Sequence, residues 1–186
     1  EFKDNETGNH VKRMSKYAHV LATAYGMDEA AADMLMHAAP MHDIGKIGVP
    51  DHILKKAGKL DANEWQLMKE HAAFGGKILD EKDPSALMEM AKAVAVTHHE
   101  KWNGSGYPNG LKAKDIPLVG RIIAIADVFD ALTSQRPYKP AWTIERTVEL
   151  IQSESGKHFD PDLIDVFFNN IDEFLLIRKK YEDTFD

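Results

Sequence analysis

Apolar residues at Val11, Met14, Ala18, Leu21 and Tyr25 recur at i, i+3, i+7, i+10 and i+14, predicting one helix from Asn9 to Tyr25. Gly26 ends it. Asp28 is placed to N-cap a second helix through Ala30 to Ala39, which Pro40 then disturbs, so His42 and Asp43 fall near a helix end or a kink. The segment Ile44 to Lys59 is rich in Gly, Pro and Lys and reads as a loop with a short turn. Asp61 with Glu64 three residues on forms a capping-box pattern opening a helix over Trp65 to Lys69. Further helices are predicted at 71–82, 85–100, 118–133, 143–154 and 161–178. Lys101 to Pro117 carries Gly104, Gly106, Pro108, Gly110 and Pro117, too punctuated for a regular element, and reads as a long ordered or flexible loop. Strand-like alternation is absent, and the fold class is all-α, a bundle of about seven or eight helices with a long Gly/Pro-containing loop.

At 186 residues the chain is expected to form one domain with a real core. It contains no cysteine, which excludes disulfides, thiolate zinc sites and thiol nucleophiles and fits a reducing, cytoplasmic setting. No apolar run approaches the roughly 18 residues of a membrane span, so no membrane contact is expected from this segment. The formal net charge of −7 argues against a groove for a nucleic acid polymer, yet leaves room for a small phosphate ligand. Divalent cations bound in one pocket would dominate its field.

The chemistry-bearing pattern is a scattered His/Asp set: the adjacent pair His42-Asp43, the adjacent pair His98-His99, His71 between them, and Asp127. A lone histidine on a helix is more often structural than a ligand. Adjacent pairs are different, because neighbouring helical residues project about 100° apart and can grip neighbouring metals, or one metal and a substrate. Asp127 interrupts the apolar run Ile122-Ile123-Ala124-Ile125-Ala126, where an unpaired carboxylate would cost several kcal/mol, so it needs a metal or a buried cation such as Lys46 or Arg121. Glu6 and His10, four apart, make a reasonable but weak metal half-site. His19, His37, His52 and His158 fit no pair or spacing and read as surface or core histidines. Imidazole and carboxylate donors without thiolate suit a non-haem iron or manganese centre, and such a centre suits a metal-dependent hydrolase.

Three motifs carry a resemblance: Glu6-Thr7-Gly8-Asn9-His10; His42-Asp43-Ile44-Gly45-Lys46; and His98-His99-Glu100-Lys101-Trp102-Asn103 running on through Gly104-Ser105-Gly106-Tyr107-Pro108. With Arg121 to Asp127 and Ala131 to Lys139, they resemble the HD-GYP domain, the branch of HD phosphohydrolases that cleaves cyclic dinucleotides. The resemblance covers essentially the whole chain. It implies an HD-domain helical bundle and that His42, Asp43, His71, His98, His99 and Asp127 are metal ligands, with Asp43 bridging. Glu6 and His10 match the extra ligands of members that hold a third ion, so the implied cofactors are two or three divalent ions, iron or manganese. Lys46 matches a lysine that contacts the scissile phosphate; its alternative is a counter-ion for Asp127 or Glu70. Arg136 and Lys139 match positions that contact substrate phosphates or bases. Tyr107 and the Gly104–Pro108 loop match a recognition element for substrate or a protein partner; their alternative is a packed structural turn. Two departures stand out: Asn103 where Asp is common, and Lys56-Ala57-Gly58-Lys59 where Lys-Pro-Gly-Lys is common. Neither touches a metal position.

The implied reaction is hydrolysis of cyclic di-GMP to pGpG, and on to GMP, through attack on phosphorus by a hydroxide bridging two metal ions, with Lys46 and Asp43 in the catalytic set. Two alternatives remain open at this stage. One is a weakly catalytic module that binds a cyclic dinucleotide or docks a partner; the other is an HD phosphohydrolase for cyclic GMP-AMP or another nucleotide. The chain is expected to be a catalytic piece of a longer protein, without its N-terminal regulatory part.

Overall fold

The structure, a computed structural model, describes residues 8–135 and 140–183. Among the described residues there are nine α-helices and no strand, only an isolated bridge between Ser155 and Phe159. The helices are α1 (Gly8–Tyr25), α2 (Glu29–Ala38), α3 (Asp51–Leu54), α4 (Ala62–Ile78), α5 (Ala86–Thr97), α6 (Leu118–Thr133), α7 (Ile144–Ser153), α8 (Pro161–Asn169) and α9 (Ile171–Lys180). The all-α expectation holds, and so do the predicted α1, α6 and α7 to within a residue or so.

The caps work as their residue types require. Asp28 accepts from Ala31 N at 2.9 Å to open α2. Asp61 accepts from Asn63 N and Glu64 N, while Glu64 returns a carboxylate oxygen to Asp61 N at 2.8 Å, a complete capping box on α4. Two boundaries differ from expectation. The segments expected at 65–69 and 71–82 are one continuous helix, α4, because nothing between them breaks the ladder. The segment expected at 161–178 is two helices, interrupted at Asn170, whose backbone at φ −120°, ψ 16° leaves the helical region.

The core is built around α6. Eleven of its sixteen residues are buried, so it is covered on nearly all sides, as its near-continuous apolar run requires. Helix α1 lays Met14, Tyr17, Ala18 and Leu21 against it, and an aromatic group closes the far side. Tyr17 stacks on Phe174 at 4.5 Å, and Phe129 meets Tyr17, Phe167 and Phe174 edge-on at 5.4, 5.5 and 5.3 Å, geometry that favours aromatic pairs. Arg121 donates to Asp160, the N-cap of α8, at 2.5 Å and so joins α8 to α6.

One close approach places the site. The 3-10 turn Ile44–Gly48 lies directly on α4, and a Cβ on Gly45 would sit 1.9 Å from His71 O and 2.3 Å from Gly75 N. Both obstacles are backbone and cannot swing aside. Gly45→Ala is expected to cost about 3 kcal/mol or more of folding stability, read as a fall in the urea midpoint. An unchanged midpoint would show that the turn can lift off α4 at no cost.

Candidate metal centre

Helix ends and packed helix faces bring the His/Asp set together. His42 and Asp43 lie between the 3-10 turn Ala39–Met41 and the turn Ile44–Gly48, where Pro40 halts the preceding helix. His71 sits within α4, His98 is the C-cap of α5 with His99 just beyond, Asp127 is on α6 and His10 is in the first turn of α1. Ligand atoms of Asp43, His71, His98 and His99 all lie within 4.8 Å of one another, and those of His10, His42 and Asp127 do the same. The adjacent pair His42-Asp43 therefore divides between two groups, whose border is the 3.3 Å separation of His42 Nε2 and Asp43 Oδ2. His71 Nε2 and His98 Nε2 stand 3.1 and 3.5 Å from Asp43 Oδ1.

Four of the imidazoles, those of His10, His42, His71 and His98, are oriented through Nδ1. Nδ1 faces a backbone carbonyl in three of them: Ala39 O at 2.8 Å for His42, Met68 O at 2.7 Å for His71, and Ala95 O at 3.0 Å for His98. A carbonyl only accepts, so Nδ1 donates and the lone pair lies on Nε2. His10 differs: its Nδ1 meets Asp130 Oδ2 at 2.8 Å.

The residues fit a metal. His71 Nε2, His98 Nε2 and Asp43 Oδ1 are buried and make no hydrogen bond among the described residues. Leaving three such atoms unmet costs about 1–3 kcal/mol each, and a divalent cation would satisfy them together. Electrostatics agree. Burial would raise the Asp43 carboxyl, but His42 and the Lys46 ammonium beside it outweigh that and hold the carboxyl well below the usual range. Burial lowers His98, and it lowers His99 much further with help from His98 and His71, keeping both rings neutral as metal ligation demands.

Other expectations resolve as follows. Lys46 Nζ lies 2.7 Å from Asp43 Oδ2 and forms an ion pair with that carboxylate. Arg121, one of the two cations considered for Asp127, is committed to Asp160, and Asp127 faces His10 and His42. Asp127 is only half-buried. The carboxylate in the dry core is Asp130, 1% exposed, bonded to His10 and to buried Arg13. Sequence reasoning passed over Asp130 and Arg13, although both interrupt apolar stripes, Asp130 three residues past Asp127 and Arg13 three past His10. His158 stacks on Phe159 and feels the Asp127 charge, placing it near the second group. Glu6, Arg136 and Lys139 lie outside the described residues.

The Lys101–Pro117 segment is ordered by specific bonds. Buried Glu100 accepts from Asn109 N at 2.7 Å and Leu111 N at 2.9 Å, and Trp102 N and Asn103 N donate to His158 O and Lys157 O. Asn103 Oδ1 accepts from Ser105 N and Ser105 Oγ, so the amide shapes the turn locally. Tyr107 stacks on His99 at 4.7 Å and meets Trp65 edge-on at 6.0 Å, walling in the His99 ring. Glu100 is a third residue, after Asp130 and Arg13, that sequence reasoning missed.

A helical bundle whose interior gathers His and Asp side chains around two adjoining cation pockets defines the class: an all-α metal-dependent domain. The HD domain family profile matches residues 2–163. The chain belongs to the HD domain family, in its HD-GYP branch. It is 49% identical over 98% of its length to a 3'3'-cGAMP-specific phosphodiesterase of Vibrio cholerae, covering 35% of that protein. It is 42% identical over 99% of its length to a cyclic di-GMP phosphodiesterase of Thermotoga maritima, covering 50% of that protein. The chain thus spans between a third and a half of these relatives' lengths. Among solved structures it resembles an HDG"Y"P protein from Bdellovibrio bacteriovorus, with a TM-score of 0.67 and 22% identity over 88% of this chain and 51% of that one. Among the described residues no helix is long and apolar enough to cross a membrane.

Imidazoles kept neutral by burial make stability depend on pH. His158, desolvated and beside Lys101, is lowered to about 4, and His98 and His99 are lowered too. In the unfolded chain these groups take up protons as pH falls through about 6.5, before the folded chain can. The chelator-treated protein is therefore expected to lose stability steadily from pH 6.5 down to about 4, with His158 alone contributing roughly 3 kcal/mol. Calorimetric melting across that window tests this; a flat midpoint would contradict it.

Proposed function

We propose that this domain hydrolyses the phosphodiester linkage of a cyclic dinucleotide at the two adjoining ligand groups. One observation carries the reading: Asp43 sits at the border of both groups with the Lys46 ammonium on its outer oxygen, which sets a fixed positive charge beside two cation pockets. Relatives named as cyclic-dinucleotide phosphodiesterases support it. Asp43, His71, His98 and His99 would hold one ion and His10, His42 and Asp127 another, with Glu6 available for a third; the nitrogen and oxygen donors suit iron or manganese. Bound there, divalent cations supply a low-pKa water as nucleophile and neutralise charge on the phosphoryl oxygens.

The chain's own residues do the rest. Asp43 keeps its charge against burial and is placed to orient both pockets. Lys46, paired with the Asp43 carboxylate, serves as an electrostatic clamp for the non-bridging oxygens. Tyr107 closes the side of His99 and is assigned to substrate recognition. Arg136 and Lys139 are assigned to substrate phosphates or bases. Cyclic di-GMP, opened to pGpG and cut again to GMP, is the first substrate of this proposal. The 49% identity to a 3'3'-cGAMP-specific enzyme favours 3'3'-cGAMP as a second.

Purified protein loaded with Fe(II) or Mn(II) is expected to hydrolyse at least one of the two, and comparison of kcat/KM ranks them. Stoichiometric metal with no turnover of either would overturn the enzyme reading. Lys46→Met is expected to keep its metal and lose about 100-fold or more in kcat with a smaller change in KM. A kcat within a few-fold of the unaltered protein would remove Lys46 from the catalytic set.

A further inference from the structure

Asp127 and Asp130 are three residues apart on α6, on neighbouring positions of one face. The first joins a ligand group, and the second lies deeper, where it touches no pocket. Four contacts fix the Asp130 carboxylate: His10 Nδ1 on Oδ2 at 2.8 Å, Arg13 Nε on Oδ1 at 2.5 Å, Arg13 Nη2 on Oδ2 at 3.0 Å and Ser134 Oγ on Oδ2 at 3.2 Å. Arg13 is itself held, its Nη1 donating to Tyr181 O at 2.6 Å and to Asp183 Oδ2 at 3.0 Å. The carboxylate cannot turn away without breaking this chain of bonds.

We infer that Asp130 is a positioning residue for His10, holding its Nδ1–H in a hydrogen bond and so turning Nε2 toward the His42–Asp127 group. A carboxylate in this place is an acceptor, so the shared proton must reside on Nδ1. Among the described ligand imidazoles with a bonded Nδ1, His10 is held by a carboxylate and His42, His71 and His98 by backbone carbonyls. A negative partner makes the ring a stronger donor than a neutral one does. The difference predicts that removing the Asp130 charge affects the His10 group more than the Asp43 group, where the Nδ1 atoms of His71 and His98 face carbonyls. This inference rests on the metal reading of the site for its consequence, though not for its proton assignment.

Two measurements test it on the full chain. In the metal-free protein, long-range proton–nitrogen spectra of the histidines are expected to show a proton on His10 Nδ1, in its hydrogen bond to Asp130. An Nδ1 without a proton overturns the inference and needs no variant. In the second, Mn(II) titration followed by paramagnetic resonance compares the unaltered protein with Asp130→Asn, which keeps the side-chain shape and removes the charge. The variant is expected to bind one ion about 10- to 100-fold more weakly while another binds as before. Equal loss at both ions, or no loss, would show that Asp130 serves folding alone. Failure of the unaltered protein to bind Mn(II) at all would instead count against the metal reading, leaving the spectra to decide the proton on His10.

Discussion

The site depends on keeping several imidazoles neutral, dry and pointed at one another, which a protein interior resists. Each ring brings a donor that must be satisfied and a lone pair that must be left exposed to the pocket. His42, His71 and His98 meet the first demand on carbonyls of their own local chain, three or four residues back, so that helix geometry alone sets their direction. His10 has a remote carboxylate for the purpose. Once these donors are satisfied, the remaining nitrogen atoms and the Asp43 oxygen are left facing one another, an arrangement that suits a cation, and burial keeps His98 and His99 from taking protons instead.

That arrangement needs backbones closer than ordinary side chains allow. Gly45 lets the turn after Asp43 touch α4 beside His71. Gly120 lets α6 approach the end of α5, since a Cβ there would sit 2.0 Å from Thr97 Oγ1, next to His98. Gly106 lies equally tight against His99 O and the backbone of Glu100 and Lys101, which brings Tyr107 onto the His99 ring. These three glycines stand at the seams between the ligand-bearing segments, so the site and the packing of the bundle are one construction.

Much of this was legible in the residues. The capping box at Asp61, the stop at Gly26 and the all-round apolar α6 follow from local rules that need only a few neighbours. The two His-containing pairs stood out by their adjacency, and Asp127 because a polar residue in an apolar run is costly. Less was visible where length or context decided. The continuity of α4 through residues 69–71 and the break at Asn170 turn on small backbone preferences that packing overrides. Arg13 and Asp130 each look like an ordinary charge on a helix, and only their meeting across 117 positions of chain reveals a buried pair.

The sequence by itself determined the helical class, the order of the elements and the set of donor types, because helix period, caps and ligand chemistry are properties of short segments. Tertiary structure decided which donors share a pocket. It split His42 from Asp43, placed Lys46 on the Asp43 carboxylate, put His10 with His42 and Asp127, and made Asp130 rather than Asp127 the deeply buried acid. Those outcomes rest on distances between segments far apart in the chain, and such distances are set by how helices pack, which no single segment encodes.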